Sequence, residues 1–357
     1  MLRAAAAEVT AEQAAARLSS AAASLSGVFA VDKPPGISCT GLLDYFKRNA
    51  GHGRGSVPFA EHFARERHLR QTGKKIRRRK CALPLRVGHG GTLDVEAAGV
   101  LVVGVGSGCK LLGGYLAGEK SYLATARLGA ATDSYDAEGT ITAVGGAADV
   151  TGGALQAAIP RFVGQVMQSP PVYSALRVNG KRLYEYARSG EPIPSDIKQR
   201  LVSIGAIALL HFEHPATGER LGTRVALPPQ YSDYYTSGRY AWADGAGEPQ
   251  VGAAMPPFAN CPALPRFQIL IQSGGGVYVR SLVHDLGAAV GSHAAMTSLV
   301  RMAQGPMRLG RDTVAVDDLP YIDRLVEAMR HTNAIVKRSE LAAAEQEKGC
   351  TPATPAE

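Results

Sequence analysis

The stretch Gly88-His89-Gly90-Gly91-Thr92-Leu93-Asp94 places one carboxylate on a glycine-rich turn beside a histidine. The apolar run that follows, Gly99-Val100-Leu101-Val102-Val103-Gly104-Val105, is short and β-branched, so it predicts a buried strand. A carboxylate held where a loop meets a buried strand is partly desolvated and fixed in direction, as a catalytic acid or nucleophile must be. Taken alone, the segment slightly favours a plainer role, in which Asp94 caps a helical turn.

Composition indicates an ordinary globular protein. The length of 357 residues is enough for one large domain or two ordinary ones with a sizeable core. The composition, 45% hydrophobic and 20% charged, is that of an ordinary globular protein. No apolar run approaches the ~18 residues of a membrane span, so we expect no membrane partner. The five cysteines are scattered and odd in number, without a C-x-x-C pair, which predicts a reducing compartment and no metal site.

Positive charge is concentrated in one segment. Residues 65–80 contain nine Lys or Arg against one acid, a local excess of +8 that equals the net charge of the whole chain. Such a run is typical of contact with a polyanion such as RNA, while a solvated insert and a nuclear-localisation signal are the alternatives. The candidate RNA-binding residues are Arg67, Arg70, Lys74, Lys75, Arg77, Arg78, Arg79 and Lys80.

Several further segments predict ordered elements. Alternation in 120–128 predicts a strand that carries Tyr122, and apolar runs predict strands at 201–212 and 267–272. The run 277–280 predicts a strand that leads into a helix at 282–289, so Arg280 would lie at a strand-to-helix junction and could be buried and aimed at a carboxylate. A surface salt bridge is the plainer role for Arg280.

Two polar segments carry weaker signals. Residues 132–139 form an acidic turn for which hairpin chemistry is favoured over metal binding. Residues 169–188 interleave basic and aromatic side chains around Asn179-Gly180, a pattern that suits stacking on bases and contacts to phosphates, although a solvated helix face shows some of the same pattern.

The predicted organisation has three parts. Residues 1–26 are a disordered leader or a weak organellar presequence, because they are rich in Ala and Ser but carry only two arginines against two acids. Residues 27–315 form the catalytic domain, with a basic insertion at about 51–83 and a Pro- and Tyr-rich insertion at 213–265. Residues 316–357 form a C-terminal helix and a disordered tail.

A set of motifs resembles the TruB-type tRNA pseudouridine-55 synthases, and it occurs in the order found in that family. The motifs are Asp32-Lys33-Pro34-x-Gly36-x-Ser38, Gly88-His89-x-Gly91-x-Leu93-Asp94-x-x-Ala97-x-Gly99-Val100-Leu101, Lys120-x-Tyr122, Thr132-Asp133-x-x-Asp136-x-Glu138-Gly139, Pro171-x-Tyr173-Ser174-Ala175-Leu176-x-x-x-Gly180, Tyr184-Glu185-Tyr186-Ala187-Arg188-x-Gly190 and Gly276-x-Tyr278-x-Arg280-Ser281. Together with the basic insertion, they resemble the eukaryotic, fungal-like form of the family.

The resemblance implies an α+β pseudouridine synthase fold, with a mixed, mostly antiparallel sheet flanked by helices and loops. It also implies a reaction that detaches uracil from ribose in RNA, rotates it and rejoins it through carbon. No cofactor is needed, because the net change is an isomerisation. The implied substrate is the T loop of tRNA at position 55, and mRNA is an alternative substrate.

The resemblance assigns roles to seven residues. Asp94 matches the catalytic aspartate, Arg280 the arginine that pairs with it, and Tyr122 the tyrosine that stacks on the target base. His89 matches the residue that fills the gap left by a flipped base. The remaining substrate-binding positions are Lys33, Tyr173 and Val300. Val95 and Gly90 depart from the pattern, because Pro and Thr or Ser are common there.

Alternatives from other classes stay open. A non-catalytic tRNA-binding or tRNA-folding factor would not need the trio of Asp94, Tyr122 and Arg280. A synthase that modifies ribosomal RNA under guide RNAs would carry an appended RNA-binding domain, as bacterial relatives do, and the segment after Arg301 is too short for one. We expect a monomer, in the nucleus, the mitochondrion or the cytoplasm.

Overall fold

The computed structural model describes residues 25–52, 55–72, 85–195, 197–226 and 264–349. The leader predicted at 1–26 lies almost wholly outside this part of the chain. The chain divides into two compact units. The first comprises Met1–Val95, Gly99–Leu116 and Ala303–Glu357, and the second comprises Glu96–Ala98 and Ala117–Met302.

The described part of the chain combines strands with helices. The strands are β1 (Gly27–Lys33), β2 (Val87–His89), β3 (Ala98–Val105), β4 (Lys120–Leu128), β5 (Ala130–Thr132), β6 (Ile141–Val144), β7 (Gly164–Gln168), β8 (Arg177–Val178), β9 (Lys181–Arg182), β10 (Arg200–His214), β11 (Glu219–Gly222), β12 (Arg266–Ser273), β13 (Ala294–Gln304), β14 (Met307–Arg308) and β15 (Thr313–Val314). The helices are α1 (Cys39–Asn49), α2 (Phe59–Gln71), α3 (Leu112–Ala117), α4 (Gly152–Ala158), α5 (Leu183–Ser189), α6 (Val279–Ala289) and α7 (Ile322–Gly349). Short 3-10 turns cover Gly106–Leu111, Ile159–Phe162 and Val316–Asp318.

The first unit is built on β1 and β3. β3 pairs antiparallel with β1 and β2, and β1 pairs in parallel with β15. Every residue of β3 is buried, which confirms the predicted buried strand. Phe29 packs edge-on against Phe46 of α1, with ring centroids 5.8 Å apart. A separate buried cluster joins the strands to α7, and its members are Val28, Ala30, Val100, Val102 and Met307, with Ile335 and Val336 packed against them.

The second unit has the strand order β11-β10-β12-β4-β13, with β7 paired to the first half of β10. The pairs of β10 with β7, β11 and β12, and of β12 with β4, are antiparallel. The strands predicted at 201–212 and 267–272 are thereby confirmed. With the parallel pair in the first unit, the fold is α+β with mixed, mostly antiparallel strand pairing, as the sequence predicted.

Regular structure extends into the segment predicted as an irregular insertion at 213–265. β10 continues to His214, and β11 returns beside it as a hairpin. The tight turn that permits this is closed by the Gly218 N–H, which donates to the His214 carbonyl, while Gly218 has a φ of 73°. Next, the side-chain amide of Gln268 bonds both the N–H and the C=O of Val225. Residues 227–263 lie outside the described part of the chain.

The strand predicted at 277–280 is wrong, because α6 begins at Val279. The buried Gln168 side chain accepts from the Tyr278 N–H at 2.8 Å and donates to the Tyr278 C=O at 2.9 Å. The Leu282 N–H bonds the same carbonyl and starts the helix. Arg280 therefore lies in the first helical turn. None of the helices described here is long and apolar enough to cross a membrane.

Candidate active site

Asp94 lies half-buried in the turn between β2 and β3, and the peptide groups on either side of it are held in place. The Leu93 N–H donates to the Cys39 sulfur at 3.2 Å, and the Cys39 thiol donates to the Leu93 carbonyl at 3.4 Å. On the other side, the Val95 carbonyl accepts from the Gly36 N–H at 2.8 Å. These bonds fix the backbone direction at Asp94, which a reacting carboxylate requires.

Lys33 supports the same turn from the end of β1. Its side chain is fully buried, and Nζ donates to the carbonyls of Val95 at 3.1 Å and Pro34 at 3.0 Å. Val95 is one of the two positions that depart from the motif pattern. The rigidity that a proline ring would supply is here supplied by two donors on the Val95 carbonyl.

Gly90 is required by close packing. A Cβ at this position would lie 2.6 Å from Cβ of Tyr115, which is too close for any side chain. The Gly90 N–H bonds the Val102 carbonyl, and its own carbonyl accepts from the buried Gln304 amide at 2.6 Å. Tyr115 thus explains why Thr or Ser is absent here. The preceding His89 is half-buried and pairs with Val103 in β3.

Tyr122 and Val300 lie on strands of the second unit. Tyr122 is buried in β4 opposite Ile271 of β12, and Val300 is buried in β13. Lys120, two residues before Tyr122, is also buried and donates to the Gly118 carbonyl. Burial, and secondarily the charge of Arg301, lowers the pKa of Lys120 to about 8.

Arg280 is buried, with an exposed fraction of 3%, and its guanidinium holds the acidic turn at 132–139. Nη1 donates to the Ser134 carbonyl at 2.7 Å, and Nε lies 3.6 Å from a carboxylate oxygen of Asp136. Nη2 donates to the Tyr173 carbonyl at 2.9 Å. The sequence marked Asp136 as part of a motif, but it did not pair Ser134 or Asp136 with Arg280, because they lie almost 150 residues before Arg280.

The acidic turn is stabilised by its own side chains. The Ser134 hydroxyl donates to Asp136 at 2.6 Å, and the Thr132 hydroxyl donates to the Asp136 carbonyl at 2.7 Å. The Asp133 carboxylate accepts from the Thr140 N–H at 2.9 Å. This is the predicted hairpin chemistry. In the part of the chain that the structure describes, no group of His, Cys, Asp and Glu could hold a metal ion.

Tyr135 stands at the tip of this turn in a strained conformation, with a φ of 62°. Its ring stacks on the ring of His284 of α6, with centroids 4.1 Å apart and an interplanar angle of 18°. Burial lowers the pKa of His284, even though the neighbouring Asp285 acts to raise it, so the ring is neutral at pH 7.

Tyr173 is bound at both ends. Its carbonyl accepts from Arg280, and its hydroxyl donates to Asp133 of the acidic turn at 3.3 Å. Burial, followed by the charge of Asp133, raises the pKa of the Tyr173 hydroxyl. Tyr173 therefore stays protonated at neutral pH and acts as a hydrogen-bond donor.

The predicted site residues are distributed over both units. Lys33, His89 and Asp94 belong to the first, and Lys33 meets the Asp94 turn directly. The second unit contains Tyr122, Tyr173, Arg280 and Val300. Of the basic segment, Arg67 and Arg70 fall on α2, whereas Lys74, Lys75, Arg77, Arg78, Arg79 and Lys80 lie outside the described residues.

Comparisons with known proteins agree on one family. The TruB family pseudouridylate synthase N-terminal domain matches residues 75–235. The chain is 32% identical to tRNA pseudouridine synthase 4 of Saccharomyces cerevisiae, over 81% of this chain and 79% of the yeast protein. It is also 32% identical to human pseudouridylate synthase TRUB1, over 92% of this chain and 76% of the human protein.

Among solved structures, a Cbf5-Nop10-Gar1 complex aligns with 85% of this chain and 58% of the solved chain, at 19% identity and a TM-score of 0.43. At that TM-score we draw no argument from it. The yeast and human relatives match well over two thirds of this chain and of their own lengths. On these matches, the chain belongs to the TruB family of pseudouridylate synthases.

Proposed function

We propose that this protein converts uridine 55 in the T loop of tRNA to pseudouridine, with Asp94 as the catalytic carboxylate. The observation that carries the proposal is the turn in which donors from Cys39, Gly36 and Lys33 fix the peptide groups on both sides of Asp94. Membership of the TruB family supports the reaction, and relatives named tRNA pseudouridine synthase support the substrate.

The chemistry follows from the demands of breaking a glycosidic bond. Positive charge develops on the sugar, and an ionised carboxylate stabilises that charge, traps the sugar covalently or accepts a proton. Asp94 fills this role. Tyr122 stacks on the uracil, and His89 occupies the space that the flipped base leaves. The detached uracil rotates and rejoins through carbon 5, so atoms balance without a cofactor.

A basic and aromatic hairpin in the second unit supports contact with RNA. β8 and β9 turn at Asn179-Gly180, with φ values of 50° and 79°, and lead into α5. Lys181 lies 4.6 Å from the centre of the Tyr186 ring. Arg188 and Arg182 lie 5.3 Å and 5.7 Å from the centre of the Tyr184 ring. Tyrosine faces bordered by cations suit stacking on bases with phosphates nearby.

Tritium release tests the proposal. A tRNA transcript labelled at uridine carbon 5 loses tritium when carbon 5 becomes the attachment point. We expect release by the wild type, none by Asp94→Asn, and unchanged release by Asp149→Asn, which alters an exposed carboxylate elsewhere. A transcript with cytidine at position 55 should abolish release, and an isolated T-arm hairpin should retain it.

The alternatives give different results. Wild-type binding to tRNA without release would identify a tRNA-folding factor. Release that persists with cytidine at position 55 would place the target elsewhere in the tRNA. Comparable release from an mRNA stem-loop with the same loop sequence would extend the substrates to mRNA.

A further inference from the structure

We propose that the stacked pair Tyr135–His284 is a positioning device for Arg280, and this rests on the function proposed above. Arg280 and His284 are four residues apart on α6, so their side chains lie on the same side of the helix. Both contact the acidic turn: Arg280 binds the Ser134 carbonyl and Asp136, and His284 stacks on Tyr135 between them.

The backbone shows why the turn needs such support. A tyrosine at a φ of 62° occupies a region that residues other than glycine rarely adopt, so surrounding contacts must hold it there. The Tyr135 carbonyl accepts from the Met296 N–H at 3.0 Å, which ties the turn to β13. The ring stack fixes the side that faces α6. Without the stack, the turn can relax to a more common φ and carry the Ser134 carbonyl and Asp136 away from Arg280.

The contact is one of ring faces rather than of hydrogen bonds. His284 Nδ1 is buried and has no hydrogen-bonding partner among the described residues. An imidazole nitrogen in that position contributes nothing that an aromatic carbon would not. The structure therefore assigns the ring of His284 a stacking role, and a phenyl ring should replace it.

The test measures kcat and KM for tritium release by six proteins. Wild type, His284→Phe and Tyr135→Phe all retain two stacked rings, and we expect their kcat values to agree within about two-fold. His284→Ala and Tyr135→Asn lose the stack, and we expect kcat to fall about five- to ten-fold with KM unchanged, the scale of one aromatic pair. Asparagine tolerates positive φ, so Tyr135→Asn separates loss of the ring from backbone strain. Asp149→Asn is the exposed control.

Each result has a distinct meaning. If His284→Phe loses as much kcat as His284→Ala, the imidazole nitrogens act and the stacking role is wrong. If Tyr135→Asn matches the wild type, the turn holds Arg280 without the stack. A rise in KM alone would indicate a substrate contact instead. Absence of release by the wild type would overturn the proposed function itself. Melting temperatures show whether a variant is folded. If either His284→Ala or Tyr135→Asn is unfolded, the kcat of the other variant tests the stacking role.

Discussion

Two turns in this molecule are each held by a buried cation, but the dependence runs in opposite directions. At the Asp94 turn, Lys33 donates to peptide carbonyls near the proposed catalytic carboxylate, so the cation stabilises the turn. At the acidic turn, the Ser134 carbonyl and the Asp136 carboxylate face Arg280, so the turn holds the guanidinium in position. Substitutions in the first turn should therefore displace the Asp94 carboxylate. Substitutions in the second turn should displace the Arg280 guanidinium.

The largest expected effect is on Arg280. Arg280→Lys keeps the charge but loses the planar fork that reaches Ser134, Tyr173 and Asp136 together. We expect a loss of about 3 kcal/mol in the free energy of unfolding, measured by urea denaturation, because the carbonyls of Ser134 and Tyr173 cannot both keep their buried donors. We also expect kcat to fall on the order of 100-fold.

Arg161→Lys is the control for this substitution, because Arg161 is exposed and should change stability by less than about 0.5 kcal/mol. Equal stability of the two variants would mean that the acidic turn does not depend on the guanidinium fork.

A smaller effect is expected at Gly90 in the first turn. Gly90→Ala brings a methyl group to within 2.6 Å of Cβ of Tyr115, so we expect a loss of about 2 kcal/mol in the free energy of unfolding. Gly113→Ala is the matched control, because a Cβ there has no atom within 4 Å. Replacing a helical glycine should instead stabilise by about 0.5–1 kcal/mol. A change in the free energy of unfolding with the same sign in Gly90→Ala and Gly113→Ala would contradict the packing argument.

A substitution of Lys33 tests whether this cation stabilises the Asp94 turn. Lys33→Met keeps an unbranched apolar stem as far as Cε and removes the Nζ donor to Val95 and Pro34. We expect a loss of about 1–2 kcal/mol and a fall in kcat of about ten-fold, because the Val95 carbonyl retains only the Gly36 donor. The exposed Lys110→Met should leave both quantities unchanged. A fully active Lys33→Met would show that Gly36 and Cys39 suffice.

The smallest effect concerns pH and a third buried cation. The pKa of Lys120 is about 8 in the folded protein, below its ordinary value of 10.5, so the unfolded chain binds more protons between these values. The Lys120 contribution to stability should therefore rise as pH increases from about 8 toward 10.5. Lys120→Met should lack this rise. The measurement is the difference between the urea midpoints of the wild type and of Lys120→Met at each pH. A constant difference would mean that Lys120 is not desolvated.

Local signals explain what the sequence could predict. The Asp94 turn and β3 are contiguous, so glycine pattern and apolar run together predicted a turn before a buried strand. The partners of Arg280 escaped prediction, because contacts across nearly 150 residues leave no local pattern. The strand predicted at 277–280 failed for the same reason. Its β-branched alternation was real, but Gln168, 110 residues away, fixes the Tyr278 backbone at the start of α6.

Three buried glutamines use their amides as substitutes for peptide groups. Gln168 bonds both ends of the Tyr278 backbone, Gln268 those of Val225, and Gln304 joins Val102 to Gly90. Deamidation would turn each donor nitrogen into an oxygen that faces a carbonyl oxygen, replacing attraction with repulsion in a buried place. The substitution of glutamate for glutamine at any of these three positions should therefore destabilise the fold, although it hardly changes the shape of the side chain.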